Sequence, residues 1–476
     1  MWIDRRGFFS WVGGGLATAA TASLMFRDGT IEAAVPGESD PRCPHFAPKA
    51  KRAIHICLCG ALSQVDSFDH KPDLIASHGK ALSKPATRDD VFFGRVGLLR
   101  KPDWDYQAGG QSGLMISDLF PNLREVADEL TLIRSMVADT ANHTPATFQQ
   151  NSGFRLNGYP AMGSWLSYGL GSESDDLPAF VVIPDARELP AGGAINWSNG
   201  FLPARHQGVV VRPRGTPIDD LFPARKVEPG TDPALLEFLQ ESNRRHLVDR
   251  GGEDALSARI QGYELAARMQ TSVPLVTNLD GEPADTLGLY GVDRPETADF
   301  ARACLIARRL MERGVRFVQL LSGGTFSSPR RNWDGHENMK ANHGQEALRI
   351  DKPIAGLLRD LRRRGMLDDT LVLFTTEFGR TPFTQSAADA VGLGRDHNPF
   401  GFSVWMAGAG LKHGLSYGQT DEIGWKTVEN PVTWPDFHAT VLHLLGIDHQ
   451  KLTFYHNGIK RRLTNVHGEV VRAILA

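Results

Sequence analysis

Six short runs of apolar and β-branched residues recur along this sequence, and they constrain its fold more than any other feature. Each run has the length of a strand and few polar residues, which is typical of strands covered on both faces. The runs lie at 53–59, 131–136, 179–184, 316–321, 370–375 and 402–408. Patterns of helical period separate several of them, for example at 297–314 and 347–365. This alternation predicts an α/β protein with a mostly parallel central sheet.

Polar clusters follow or precede these strand-like runs, and they contain residue types that bind metal ions. They include Asp66, the stretch 138–153, Asp334 with His336, Glu377, and His397. Ligands collect at the carboxyl ends of parallel strands, so these side chains are expected to lie close together. Mixed carboxylate and imidazole ligands suit a hard or borderline divalent cation. Each cluster alone is equally typical of a polar loop or a helix cap, and only the shared placement favours a metal site.

The charge distribution and the middle of the chain narrow the kind of protein further. The 476 residues carry a net charge of -3, and basic and acidic residues are mixed. Because there is no basic stripe, nucleic acid is not an expected partner. Residues 185–295 depart from the strand and helix alternation, since a Gly/Pro/Asn-rich loop is followed by polar helical sequence. We therefore expect a cap-like insertion of about 185–295.

The first residues have the pattern of an export signal. Arg5 and Arg6 precede an uncharged stretch, 11–26, that is rich in Ala, Gly and Thr. The pattern is similar to a twin-arginine signal, and the stretch is short of the ~20 apolar residues of a membrane span. An ordinary secretory signal or an uncleaved anchor is the alternative. We expect a signal region at 1–35, the twin-arginine export machinery as a partner, a periplasmic or extracellular location, and no stable membrane span.

Several stretches resemble the alkaline phosphatase and sulfatase superfamily, in the same order along the chain. Residues 120–153 resemble the sulfatase segment that leads to the nucleophile, and "MLDDTLVLFTTEFG" at 366–379 resembles "LLDNTLVVFTSDHG". Residues 402–414 and 434–448 match two later stretches of the superfamily. The motifs WDGH, EFGRTP and GRDHNP are most similar to an exported sulfatase-like family of unknown function. The resemblance implies an alkaline-phosphatase-like three-layer sandwich over residues 45–476.

The resemblance also implies metal ligands. Asp334, His336 and His397 match the ligands of one ion, and Asp66 and Glu377 match part of the set for a second. Such a mixed ligand set is compatible with Zn, Mn, Ca or Mg.

Three further residues match catalytic positions of the superfamily. His143 stands at the nucleophile position, and Thr144 beside it carries the candidate nucleophilic hydroxyl, which metal binding and a helix N-terminus would activate. Arg380 matches a residue that could clamp an oxyanion. Two departures stand out. Phe378 occupies the place of a histidine ligand, and no cysteine stands at the nucleophile position, so a sulfatase with a modified cysteine is not expected.

Together these observations predict an exported metal-dependent hydrolase of phosphate or sulfate esters. Its substrate would be a small-molecule or glycan anionic ester, on which a nucleophile and one or two metal ions act. The alternative is a catalytically weak or inactive sulfatase-like protein that binds or organises partners in the cell envelope, which Phe378 and the absence of a usual nucleophile favour. A phosphomutase-like transferase is a third reading.

Overall fold

A computed structural model of the protein describes residues 44–87, 90–219, 231–249, 254–326 and 329–476. The predicted signal region at 1–35 lies outside these residues. Within the described part, the strands of the central sheet are β1 (Arg52–Leu58), β4 (Leu130–Val137), β5 (Phe180–Ile183), β6 (Val209–Val210), β7 (Phe317–Ser322), β8 (Thr370–Thr376), β11 (Phe402–Gly408), β12 (Leu415–Tyr417) and β15 (Val432–Thr433).

Two-stranded pairs and helices complete the described part. The pairs combine β2 (Tyr106–Gly109) with β3 (Leu114–Ser117), β9 (Gly379–Thr384) with β10 (Arg395–Asn398), β13 (Gln419–Thr420) with β14 (Thr427–Glu429), and β16 (Phe454–His456) with β17 (Ile459–Arg461). The helices are α1 (Pro72–Ala76), α2 (Pro121–Arg124), α3 (His143–Ser152), α4 (Met162–Leu170), α5 (Thr231–Asp249), α6 (Asp254–Thr277), α7 (Ala284–Tyr290), α8 (Ala298–Glu312), α9 (Met339–Arg363) and α10 (Trp434–Leu444).

The central sheet has the order β12-β4-β11-β8-β1-β7-β5-β6, and β15 also pairs with β4. Every pairing in it is parallel except those of β11, which runs antiparallel to both β4 and β8. The strands β7, β1 and β8 end in register, since Leu58 pairs with both Ser322 and Thr376. The loops that follow these three strands therefore leave the sheet side by side.

Helices cover the sheet on both faces because its strands are apolar on both faces. Along β1, Ile54 and Ile56 belong to one buried core, whereas Ala53 and Cys57 belong to another. Helices α8 and α9 contribute to the first core, and α4 and α10 contribute to the second. The predicted three-layer α/β sandwich with a mostly parallel sheet is confirmed.

The stretch predicted as an insertion, 185–295, shares its packing with the main body. Its strand β6 extends the central sheet beside β5. Its helix α6 places Met269, Val273 and Val276 in the same buried core as α8 and α9. Across the described ranges, no helix has both the length and the apolar character needed to cross a membrane.

Candidate metal centre

Four side chains converge beyond the carboxyl ends of the central strands. One ligand atom from each of His143, Asp334, His336 and His397 lies within 4.8 Å of the others. His143 is the first residue of α3, which follows β4 after a short loop. Asp334 and His336 lie between β7 and α9, and His397 lies in β10, just before β11 begins. The four residues reach one point because their loops leave the same edge of the sheet.

The distances within this centre are near those of a tetrahedral ion site. Asp334 Oδ1 lies 2.8 Å from His336 Nε2, 3.4 Å from His143 Nε2 and 3.6 Å from His397 Nε2. The Nε2 atoms of His336 and His397 lie 2.8 Å apart. An ion with four ligands at roughly 2.1 Å has ligand atoms about 3.4 Å apart. Shifts of a few tenths of an ångström would thus bring these atoms around one cation.

All three imidazoles present the same nitrogen to the centre. His143 Nδ1 lies 2.7 Å from Glu377 Oε1, His336 Nδ1 lies 2.5 Å from Gln385 Oε1, and His397 Nδ1 lies 2.5 Å from the carbonyl oxygen of Ala141. Since each partner is an oxygen acceptor, we assign the ring proton to Nδ1 in each histidine. Each Nε2 then carries a lone pair.

Lone pairs that face one another require a cation between them. His143 Nε2 is buried and has no hydrogen-bond partner among the described residues, although Asp334 Oδ1 lies only 3.4 Å away. Two electron-rich atoms at this distance repel each other unless positive charge lies between them. The donor set and this orphaned nitrogen therefore fit a divalent metal ion, and the oxygens behind the rings are the outer partners that metal-binding histidines usually have.

The protonation states required for metal binding are favoured by the surroundings. Burial lowers the pKa of His397 well below its usual range, against the opposing effect of Asp334, so this ring is neutral. Burial raises the pKa of Asp334, but the nearby Arg380 guanidinium and the three imidazoles outweigh burial and hold the pKa far below its ordinary value. Asp334 is consequently a carboxylate at any pH at which the protein is folded.

Two arginines bracket Asp334. Arg380 is fully buried and donates from Nη2 to Asp334 Oδ1 at 2.7 Å, while its Nε donates to the carbonyl oxygen of Ala61 at 3.0 Å. Arg330 contacts the other oxygen of Asp334 and also donates to Glu337 Oε1 at 2.9 Å. Arg380 thus lies behind the carboxylate, and its role as an oxyanion clamp stays a prediction. The sequence reasoning did not single out Arg330.

The structure places the two predicted second-site ligands outside the four-residue group. Glu377 Oε1 faces His143 Nδ1 and accepts a hydrogen bond from the backbone N–H of Gly60 at 2.7 Å, so it supports an imidazole from behind. Asp66 is buried elsewhere, with Oδ2 bound by the Ser63 hydroxyl at 2.6 Å and by Arg395 Nε at 2.8 Å. An ion pair with Arg395 therefore occupies the carboxylate that was predicted to bind a metal.

Thr144 is the second residue of α3 and is half-buried beside His143. Its place at a helix N-terminus is the one the sequence predicted, and its role as a nucleophile stays a prediction.

Two glycines allow the loops to approach the centre closely. Gly60 has φ +115°, and a Cβ there would lie 2.5 Å from the Trp333 nitrogen and 2.7 Å from the Asp334 nitrogen. A Cβ on Gly394 would lie 1.6 Å from the His336 carbonyl oxygen. A larger residue at either position would displace a ligand loop.

Four phenylalanines surround the imidazoles. Phe378 is fully buried, and its ring centroid lies 4.8 Å from those of both His143 and His397. Phe326 stacks on His143 at 4.4 Å, and Phe92 stacks on His397 at 4.8 Å. Phe93 meets His336 edge to face at 5.0 Å. Only Phe378 was noted from the sequence, because an adjacent pair such as Phe92 and Phe93 in a polar loop carries no signal of what it packs against.

The fold and this centre together define a three-layer α/β protein with a candidate metal site at the carboxyl edge of its sheet. The chain belongs to the family described as "Protein of unknown function (DUF1501)", whose model matches residues 50–475. No curated protein sequence matches the chain.

Solved structures similar to this chain include three enzymes of bacterial origin. The lipoteichoic acid synthase LtaP from Listeria monocytogenes is 11% identical, with a TM-score of 0.37 over 88% of this chain and 77% of that chain. The PsFucS1 sulfatase from Pseudoalteromonas sp. is 13% identical, with a TM-score of 0.36 over 87% and 74%. The phosphonate monoester hydrolase SpPMH from Silicibacter pomeroyi is 13% identical, with a TM-score of 0.33 over 83% and 73%. With every TM-score below 0.5, we base the function on the centre itself.

Proposed function

We propose that this protein is an exported metal-dependent hydrolase of phosphate or sulfate esters, with one divalent ion held by His143, Asp334, His336 and His397. The observation that carries the proposal is the convergence of three imidazole Nε2 atoms on one carboxylate oxygen, with every Nδ1 directed at an oxygen acceptor. Three nitrogens and one oxygen favour Zn²⁺ or another first-row transition ion such as Mn²⁺ over Ca²⁺ or Mg²⁺, which prefer oxygen ligands. Phe378 in place of a further ligand is consistent with a single ion.

A bound ion would supply the positive charge and Lewis acidity that stabilise a phosphoryl or sulfuryl oxygen. The chain's own residues would do the rest. Arg330 is 30% exposed and reaches Asp334 from the solvent side, so it is placed to contact the anionic group of a small-molecule or glycan ester. Thr144 lies in the first turn of α3, where backbone N–H groups and the helix dipole favour an anion and a more acidic hydroxyl.

A second candidate function follows from the number of ligands. Four protein ligands complete a tetrahedral set, which is typical of structural zinc sites, whereas catalytic sites keep one position for water or substrate. The same centre would therefore suit a catalytically weak binding or scaffold protein of the cell envelope. In a hydrolase the ion would have to accept a fifth ligand or release one of the four.

Metal analysis followed by turnover assays separates these functions. Purified protein is assayed for bound Zn and Mn, then tested on aryl phosphates, phosphodiesters and sulfates beside the His336→Ala variant. Absence of metal, or activity no greater than that of His336→Ala, would contradict the hydrolase. Stoichiometric metal without turnover would favour the binding protein. His143→Ala sharpens the choice, because three ligands would remain and an open position would appear.

We propose export by the twin-arginine route on the sequence of residues 1–35 alone. The test is fractionation of cells that express the full chain, with an Arg5→Lys, Arg6→Lys double variant as the control. Retention of the wild type in the cytoplasm would contradict export.

A further inference from the structure

The metal centre has an aromatic rim, by which we mean Phe92, Phe93 and Phe326. These rings are 45%, 52% and 37% exposed, although each packs against a different imidazole of the centre. Phe378, which contacts two of the same imidazoles, is completely buried. The rim thus offers apolar surface to solvent directly beside the ligands, and clustered exposed phenylalanine is a feature of binding sites.

Hydrogen bonds fix the backbone that carries the first two rings. The Phe93 N–H donates to Asp396 Oδ2 at 2.9 Å, and Asp396 immediately precedes the ligand His397. The two rings also pack edge to face, with centroids 4.8 Å apart. A few residues further on, the Gly97 N–H donates to the Thr384 carbonyl at 2.8 Å. These contacts hold Phe92 and Phe93 in place beside the centre.

The third ring stands on the loop that supplies Asp334. The Gly324 N–H donates to the Arg331 carbonyl at 2.8 Å, and Asn332 Nδ2 donates to the Thr325 carbonyl at 3.0 Å. Phe326 follows directly and stacks on His143. The rim is therefore formed by two separate segments that meet the centre from different imidazoles, and its shape exists before any ligand binds.

The chemistry of the rim and that of the centre are complementary. The centre attracts an anionic group through its ion and Arg330, whereas the rim can contact only the uncharged part of a ligand. Phenylalanine rings bind a second ring by offset stacking or edge-to-face contact, in addition to burying apolar area. A small anion such as phosphate would leave the rim unused. A ligand with an acid group next to an aromatic ring would use both.

We infer that the aromatic rim binds the organic group of the substrate, and that this group carries an aromatic ring beside its phosphate or sulfate ester. The inference rests on the proposed function, because it concerns the substrate of the same centre. Binding of substrate analogues that cannot be hydrolysed tests it without requiring turnover.

Titration calorimetry with zinc-loaded full-length protein compares benzylphosphonate with methylphosphonate, and benzylsulfonate with methanesulfonate. At least one benzyl compound is expected to bind roughly tenfold more tightly than its methyl partner. Phe326→Ala and Phe92→Ala should each reduce this ratio and leave methyl binding unchanged. Phe326→Leu, which keeps apolar volume without a ring, should act like Phe326→Ala. Phe238→Ala, at an exposed phenylalanine on α5, is the matched control and should change nothing.

Zinc affinity of each variant is measured alongside, because a rim that only supports the imidazoles would alter metal binding and not the ratio. Equal binding of benzyl and methyl compounds, an unchanged ratio in the rim variants, or no binding of any analogue would overturn the inference. A benzyl preference without hydrolysis of any ester would sustain the rim and contradict the proposed hydrolase. Hydrolysis without a benzyl preference would do the opposite.

Discussion

Replacing Glu377 by glutamine tests how the metal centre is supported. Glu377 is fully buried, and its Oε1 faces His143 Nδ1 and the Gly60 N–H, both at 2.7 Å. Its Oε2 accepts from the Thr376 hydroxyl at 3.3 Å. Glutamine has the same shape, so its Oε1 can keep both inner contacts while its amide nitrogen meets the Thr376 hydroxyl oxygen. The substitution Glu377→Gln therefore removes the charge behind His143 and little else.

The expected loss follows from the role of such outer carboxylates. A carboxylate that accepts from a metal-binding histidine orients the ring and raises its basicity, and its loss typically weakens metal binding 10- to 100-fold. This corresponds to about 1.4 to 2.7 kcal/mol. If Glu377 were itself a ligand, as the sequence resemblance implies, Glu377→Gln would weaken binding as much as His336→Ala, which removes a ligand outright. The two roles thus differ in size of effect.

Competition with a chromophoric chelator at pH 7.5 measures zinc affinity of the wild type and each variant, and circular dichroism verifies that each variant folds. Glu346→Gln is the matched control, because Glu346 is buried and charged but pairs with Arg187 and Arg349 outside the four-residue group. Zinc affinity of Glu377→Gln within twofold of the wild type would refute the supporting role. An equal loss in Glu346→Gln would show that the effect is not specific to the centre.

Three further predictions concern charge and burial. Arg330→Gln should raise zinc affinity several-fold in the same assay, because a cation leaves Asp334; unchanged affinity would contradict this. Arg395→Met should lower the free energy of unfolding in urea by roughly 3 to 5 kcal/mol, because Asp66 stays buried without its partner, while zinc affinity should not change; a loss below about 1 kcal/mol, or weaker zinc binding, would count against the structure. Stability should fall as pH is lowered from 6.5 toward 4, because the unfolded chain takes up protons near pH 6.5 that buried imidazoles refuse, and equal urea midpoints at pH 7 and 4.5 would contradict it. These imidazoles are His55 and His343, whose pKa burial lowers to about 3, and His438, whose pKa burial lowers to about 4.

The fold could be predicted because its strands carry an unusually direct signal. β1, β7, β8 and β11 are buried throughout, so their sequences are almost continuously apolar, and helical patterns separate several of them. The loops after such strands must share one edge of the sheet. For this reason Asp334, His336 and His397 could be selected from the sequence as candidate ligands of one ion, and the structure brings the three together.

The remaining details depend on side-chain directions that sequence order does not contain. Glu377 and His143 were both recognised as polar residues at the sheet edge, but sequence gives no means of telling which faces the ion and which stands behind. Asp66 looked equally suitable as a ligand until its partner was known. That partner, Arg395, is 329 residues away in sequence, and only the folded chain shows that it occupies the carboxylate.

The surroundings of His143 bear on whether the centre can act on a substrate. His336 and His397 donate from Nδ1 to uncharged oxygens, whereas the Nδ1 of His143 is backed by a buried carboxylate, which makes His143 the more basic ligand. A strongly held fourth ligand closes a tetrahedral site, so substrate could enter only if the ion expands its coordination toward the open side. That side is the one bordered by the exposed rings of Phe92, Phe93 and Phe326 and by Arg330. Surface that combines apolar rings with a cation at the only place where a fifth ligand could approach is difficult to explain for a purely structural metal site, and it favours the hydrolase.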